Sequence, residues 1–124
     1  MLRLLIALVL FISCKENNPI FDENKAFDYL LKQCDFGPRN PGSEGYFKCR
    51  DFMIAELKKS TDTVITQNFT YTDEKENNLY ELQNIIARFN PNSKFQTIIS
   101  CHWDTRPWAD MDEQKGNHKQ AILG

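Results

Sequence analysis

Apolar and polar residues alternate with different periods in successive stretches of the chain. Phe27, Leu30, Leu31 and Cys34 recur at intervals of three and four, which places them on one side of a helix that Asp22 can cap. The helix is expected to stop near Asp35, because Phe36-Gly37-Pro38-Arg39-Asn40-Pro41-Gly42 puts two prolines and two glycines into seven residues. Ser43 suits the N-cap of a second helix. Along it Tyr46, Cys49, Met53 and Leu57 form an apolar stripe, and Lys58-Lys59 meet the negative end of the dipole. From Thr63 the period shortens. Ile65, Phe69 and Tyr71 fall on one side of an extended run, with Thr66, Asn68 and Thr70 on the other. The charged stretch 73–78 reads as a solvated hairpin loop and Asn84-Ile85-Ile86-Ala87-Arg88-Phe89 as a second strand. Thr97-Ile98-Ile99-Ser100-Cys101 is apolar enough for a central strand buried on both faces. Residues 102–124 show no regular period. The order helix, helix, strand, strand, strand, loop predicts an α/β fold.

The first residues follow another logic. Met1-Leu2-Arg3 is a short positive segment, and the nine apolar residues from Leu4 to Ile12 are too few for a spanning helix, which needs about twenty. They suit the apolar part of an export signal. Phe11-Ile12-Ser13-Cys14, with a small residue directly before cysteine, resembles the bacterial lipoprotein signal. That resemblance implies removal of residues 1–13, lipidation of Cys14, and a tether over residues 14–21 ahead of a domain at 22–124. The expected location is outside the cell membrane, periplasmic or surface-facing, held by the lipid alone.

Composition narrows the function by exclusion. The chain has 124 residues, with 15 Lys+Arg against 17 Asp+Glu and a net charge of -2, so it carries no excess of positive charge for a nucleic acid. Its length allows one domain with a small core. Four cysteines are present. With Cys14 assigned to the lipid, Cys34 and Cys49 flank the Gly/Pro turn, either as a disulfide worth about 3 kcal/mol on a loop-entropy argument or as two buried thiols on helix faces. Cys101 is left over.

The densest chemistry is Cys101-His102-Trp103-Asp104-Thr105-Arg106-Pro107-Trp108-Ala109-Asp110-Met111-Asp112, directly after the third predicted strand. Ligand sites of open α/β sheets lie beyond the carboxyl ends of strands. His102 and Asp104, two residues apart, project to the same side of an extended backbone. An imidazole with a carboxylate that orients it suits a metal site. Asp110 and Asp112 read as a solvated acidic loop and His118 as an exposed loop histidine. Trp103 and Trp108 either pack the loop against the sheet or line a pocket. A small structural zinc module using Cys101, His102 and His118 lacks the usual Cys-x2-Cys spacing.

Taken in order, Phe36-Gly37-Pro38-Arg39-Asn40-Pro41-Gly42-Ser43, Asn84-Ile85-Ile86-Ala87 and Ile99-Ser100-Cys101-His102-Trp103-Asp104-Thr105-Arg106-Pro107 resemble the opening motifs of the glutaminyl-peptide cyclotransferase branch of the zinc aminopeptidase superfamily. The resemblance spans residues 22–124. It implies the amino-terminal part of an α/β/α sandwich with a mixed central sheet, and a zinc cofactor at the carboxyl ends of the strands. The implied reaction turns an N-terminal glutamine of a peptide into pyroglutamate with release of ammonia. A zinc aminopeptidase of the same fold, acting on another N-terminal residue, is the second expectation, and a non-catalytic surface lipoprotein the third. His102 carries over as a metal ligand and Asp104 as the catalytic-site carboxylate that partners it. The family's further ligands, its glutamate pair and the disulfide partner it gives the cysteine at position 101 correspond to positions beyond Gly124. The chain by itself is therefore expected to be an incomplete domain and inactive.

Overall fold

A computed structural model describes residues 20–74 and 77–123. The signal segment 1–13, the lipidation residue Cys14 and all but the last two residues of the tether lie outside the described residues.

Both predicted helices form with the predicted caps. Helix α1 runs from Glu23 to Asp35, and the Asp22 side chain accepts from Lys25 N at 2.9 Å. Helix α2 runs from Glu44 to Lys58, with Ser43 Oγ accepting from Tyr46 N at 3.1 Å. Each cap satisfies a main-chain donor that the first helical turn leaves without a partner. Between the helices, Gly37 and Gly42 take φ of 80° and 83°, a left-handed backbone that a side chain disfavours. The turn then presses against α2. A Cβ on Gly45 would lie 2.3 Å from the carbonyl oxygen of Pro38 and 2.6 Å from that of Phe36.

The α2 stripe supplies the buried apolar side chains, with Tyr46 and Cys49 fully enclosed. The α1 stripe behaves differently, since Phe27, Leu30 and Leu31 are each about half exposed. Contact between the helices runs through the neighbouring face instead. Tyr29 packs on Phe52, Phe36 packs on the same ring, and the Tyr29 hydroxyl donates to Glu56 Oε2 at 3.2 Å.

The extended region is an antiparallel hairpin of β1, Thr63–Asp73, and β2, Asn78–Arg88. The second strand starts six residues earlier than its apolar run suggests, because ladder bonds reward polar positions that periodicity ignores. The register sets Ile65 opposite Ile86, Phe69 opposite Leu82 and Tyr71 opposite Tyr80, which gathers the predicted apolar side of β1 with apolar partners on β2. Asn77, with φ of 53°, helps close the hairpin; asparagine tolerates that region better than most side chains.

The third predicted strand needs correction. Among the described residues the sheet has two strands, and residues 97–101 make no ladder. Ile98 and Ile99 are 91% and 92% exposed. A groove of about 940 Å3 lies between β2 and residues 95–101. A strand buried on both faces needs hydrogen-bonded neighbours and a layer on each side, and the described residues bring neither to this segment. The apolar run marks a segment suited to a sheet interior; the interior itself is not assembled here.

Candidate functional site

The segment after that run is held by the turn between the helices. Arg39 sits in the turn and is 6% exposed. Its Nε donates to Trp103 O at 3.0 Å, and its Nη1 to Gln33 O at 2.9 Å and Leu123 O at 2.6 Å. Its main chain also engages the segment. Arg39 N donates to Thr105 Oγ1 at 2.9 Å and Thr105 N returns a bond to Arg39 O at 3.2 Å. Thr105 is as deeply enclosed as Arg39.

The Trp103 ring stacks on Tyr46 with centroids 4.3 Å apart, and the Tyr46 hydroxyl accepts the main-chain N–H of Gln83 in β2 at 3.2 Å. A rigid column thus joins α2, the hairpin and the His102–Asp104 segment. Burial of Tyr46 raises its phenol pKa above the ordinary value, which keeps the hydroxyl neutral. Trp103 packs the segment down. Trp108 remains half exposed.

His102 and Asp104 lie close together, but the imidazole is held by the Asp104 main chain rather than by its carboxylate. The imidazole Nδ1 lies 2.8 Å from the carbonyl oxygen of Asp104 and 3.8 Å from its carboxylate Oδ1. A carbonyl can only accept, so Nδ1 carries a proton and the acceptor position of the ring, in its neutral tautomer, is Nε2. That tautomer suits a ligand or a proton acceptor at Nε2. The His102 side chain is 86% exposed, so its outer nitrogen is accessible. Beside it a cleft of about 460 Å3 is bounded by Phe69, Leu82, Gln83, His102 and Asp104. Gln83 Oε1 is enclosed there without a hydrogen-bond partner among the described residues.

The other acidic and histidine candidates serve their own loop. Asp110 pairs with Arg106 at 2.9 Å. Asp112 accepts from Gln114 N at 2.7 Å and Asn117 Nδ2 at 3.2 Å, and these bonds hold its carboxyl below the ordinary aspartate pKa. His118 Nε2 donates to Asp112 O at 2.8 Å. The three cysteines that are described are free thiols in this structure, Cys34 half-buried and Cys49 buried, which is the second of the two arrangements open to that pair. Cys49 is used as a small apolar side chain: it is completely enclosed on the α2 stripe, and burial pushes its thiol pKa up. Cys101 is exposed.

Metal binding by the described residues alone does not follow. His102 offers a nitrogen and Asp104 a carboxylate, whereas catalytic zinc takes three protein ligands. Among the described residues no group of three or more His, Cys, Asp or Glu converges on one point. The loop histidine His118 is turned to Asp112, away from any shared site with Cys101 and His102.

Sequence reasoning placed His102 and Asp104 together but missed Arg39, Thr105 and Tyr46 as the residues that fix them. The signal for Arg39 was present: an arginine inside a Gly/Pro turn has few local partners and must find distant ones if the turn is buried.

The fold and the His102–Asp104 segment define a class that can be stated plainly. The chain is similar, in sequence and in structure, to bacterial glutaminyl cyclases and zinc exopeptidase-like proteins. No family model matches it. The glutaminyl cyclase of Tannerella forsythia superposes with a TM-score of 0.78 at 33% identity, covering 86% of this chain and 36% of that one. A Zn-dependent exopeptidase from Parabacteroides distasonis gives a TM-score of 0.78 at 31% identity, over 86% of this chain and 36% of that chain. Among curated proteins, glutaminyl-peptide cyclotransferase of Bos taurus is 24% identical over 76 residues, which is 61% of this chain and 21% of that protein. The chain therefore spans only about a third of the solved structures, and about a fifth of the curated relative, that it matches. Within that span the match bears out the α/β fold class and the family resemblance read from the motifs.

Proposed function

We propose that this chain contributes the His102–Asp104 portion of a zinc-dependent glutaminyl-peptide cyclotransferase, which closes an N-terminal glutamine of a peptide to pyroglutamate and releases ammonia. The observation that carries the reading is the His102 ring itself. Its Nδ1 is committed to Asp104 O, which leaves Nε2 on an exposed side chain that borders a cleft, in a fold shared with glutaminyl cyclases. Two donors fall short of a zinc site, so the chain alone is expected neither to hold zinc tightly nor to turn over substrate. The similarity to a Zn-dependent exopeptidase supports a second reading, in which the same donors serve removal of an N-terminal residue.

The test is a graft. Residues 22–123 replace the matching segment of the Tannerella forsythia glutaminyl cyclase, and pyroglutamate and ammonia are measured with a glutaminyl peptide. Activity that falls on His102→Ala and on Asp104→Asn is the expected result. A folded graft whose activity ignores both substitutions would refute the proposed roles. Release of the N-terminal residue without pyroglutamate would favour the second reading. The proposal also places the protein outside the cell membrane, held through a lipid on Cys14.

A further inference from the structure

We propose that Arg39 is the positioning residue of the candidate site: its buried guanidinium sets where the His102–Asp104 segment sits relative to α1 and to residues 121–123. The inference rests on the reading of His102 and Asp104 as site residues, and adds to it the device that places them.

Residues 95–104 have no ladder partner among the described residues, so a sheet does not locate them. The main-chain bond that ties the end of this segment to a distant part of the fold is Thr105 N to Arg39 O. Three further bonds converge from the same residue. Arg39 Nε reaches Trp103 O, between His102 and Asp104, while Nη1 reaches Gln33 O at the end of α1 and Leu123 O near the end of the chain. These acceptors are 6, 64 and 84 residues away in sequence.

A buried guanidinium is costly to leave unsatisfied, and here its partners are carbonyl oxygens from three separate segments rather than a carboxylate. Displacing any one of the three would strip a charged donor of its acceptor. The planar fork makes this possible, because its donors point in fixed and different directions, whereas a lysine ammonium is a single compact charge. The side chain therefore works as a gauge. It couples the height of Trp103, and with it the flanking His102 and Asp104, to the end of α1 and to the carbonyl of Leu123. The stack of Trp103 on Tyr46 and the Tyr46 bond to Gln83 N carry that placement to the hairpin.

The test uses the full chain with Trp108→Phe, leaving Trp103 as the sole tryptophan. With the other cysteines changed to serine, quenching of Trp103 by acrylamide reports the segment, and protection of Cys49 from a thiol reagent reports the packing of α2. Arg39→Ala is expected to raise quenching severalfold while Cys49 stays protected. Millimolar guanidinium chloride should restore the parent value, and sodium chloride at the same concentration should not. Arg39→Lys should give intermediate quenching without rescue, and it decides the case if Arg39→Ala also exposes Cys49. Unchanged Trp103 quenching in either variant, or quenching that rises only in step with Cys49 labelling in both, would overturn the assignment. Neither readout depends on zinc or turnover, so this failure is separate from failure of the proposed reaction.

Discussion

Replacing Gly45 by alanine tests how the turn and α2 are fitted together. A new Cβ would stand 2.3 Å from Pro38 O, 2.6 Å from Phe36 O and 3.1 Å from the Pro38 carbonyl carbon. These are main-chain atoms, so no side chain can swing aside, and the start of α2 must move by roughly 1 Å to reach ordinary contact. Overpacking of this kind costs about 1–3 kcal/mol. The same movement strains the bond from Ser43 Oγ to Pro38 O at 2.8 Å, worth about 1 kcal/mol. Against these stands at most about 1 kcal/mol from the better helix propensity of alanine. The net expectation is a loss of about 1–3 kcal/mol. Cys49 lies on the same helix and is fully enclosed, so its labelling rate measures the opening of this region. With the other cysteines changed to serine, Gly45→Ala should speed labelling of Cys49 roughly 5- to 150-fold, since about 1.4 kcal/mol is tenfold. Gly116→Ala serves as the control, because its Cβ would meet nothing within 4 Å. A Gly45→Ala chain labelled as slowly as its parent would show that the contact between turn and helix is not tight, and the packing argument would fail.

Three other outcomes are expected. The exposed Ile98 and Ile99 should drive self-association of the isolated chain, so Ile98→Lys with Ile99→Lys should lower the mass seen by sedimentation at equal concentration; an unchanged mass would show that this patch is not responsible. The folded pKa of Asp112 is depressed by its bonds to Gln114 N and Asn117. Its contribution to loop order is therefore present above the ordinary value of 3.8 and lost as pH falls through the lower folded value, read as faster amide exchange at Gln114 once intrinsic pH effects are removed. Cys14→Ser should move the expressed protein from the detergent phase to the aqueous phase on phase separation, and should remove the mass of attached acyl chains.

The particular elements show why some features were legible in advance and others were not. Helix ends depend on neighbours a few residues away, and Asp22 and Ser43 cap as their positions suggest. The pairing of His102 with Asp104 is equally local, since two intervening peptide bonds already bring the groups together. The segment 97–101 shows the opposite case: its composition is that of a buried strand, yet a strand exists only through a partner's hydrogen bonds. Whether Cys34 and Cys49 can pair is set by where two helix faces point in space, which residue order does not give; in the structure both are free thiols and Cys49 is turned into the interior. Likewise, α1 carries a helical apolar stripe whose half-exposed residues are not what meets α2, because the crossing of two helices is decided by ridges and rings at the contact.

Local chemistry, readable from residue order, determined the caps, the glycine turn and the closeness of His102 to Asp104, because each is set by interactions within a few residues along the chain. Tertiary structure decided what holds that pair in place: a guanidinium from a turn 64 residues earlier than Trp103, a tyrosine under its ring, and a threonine returning the turn's hydrogen bond. Those contacts join segments far apart in sequence. Their geometry depends on the packing of every segment between them, which no local period or spacing encodes.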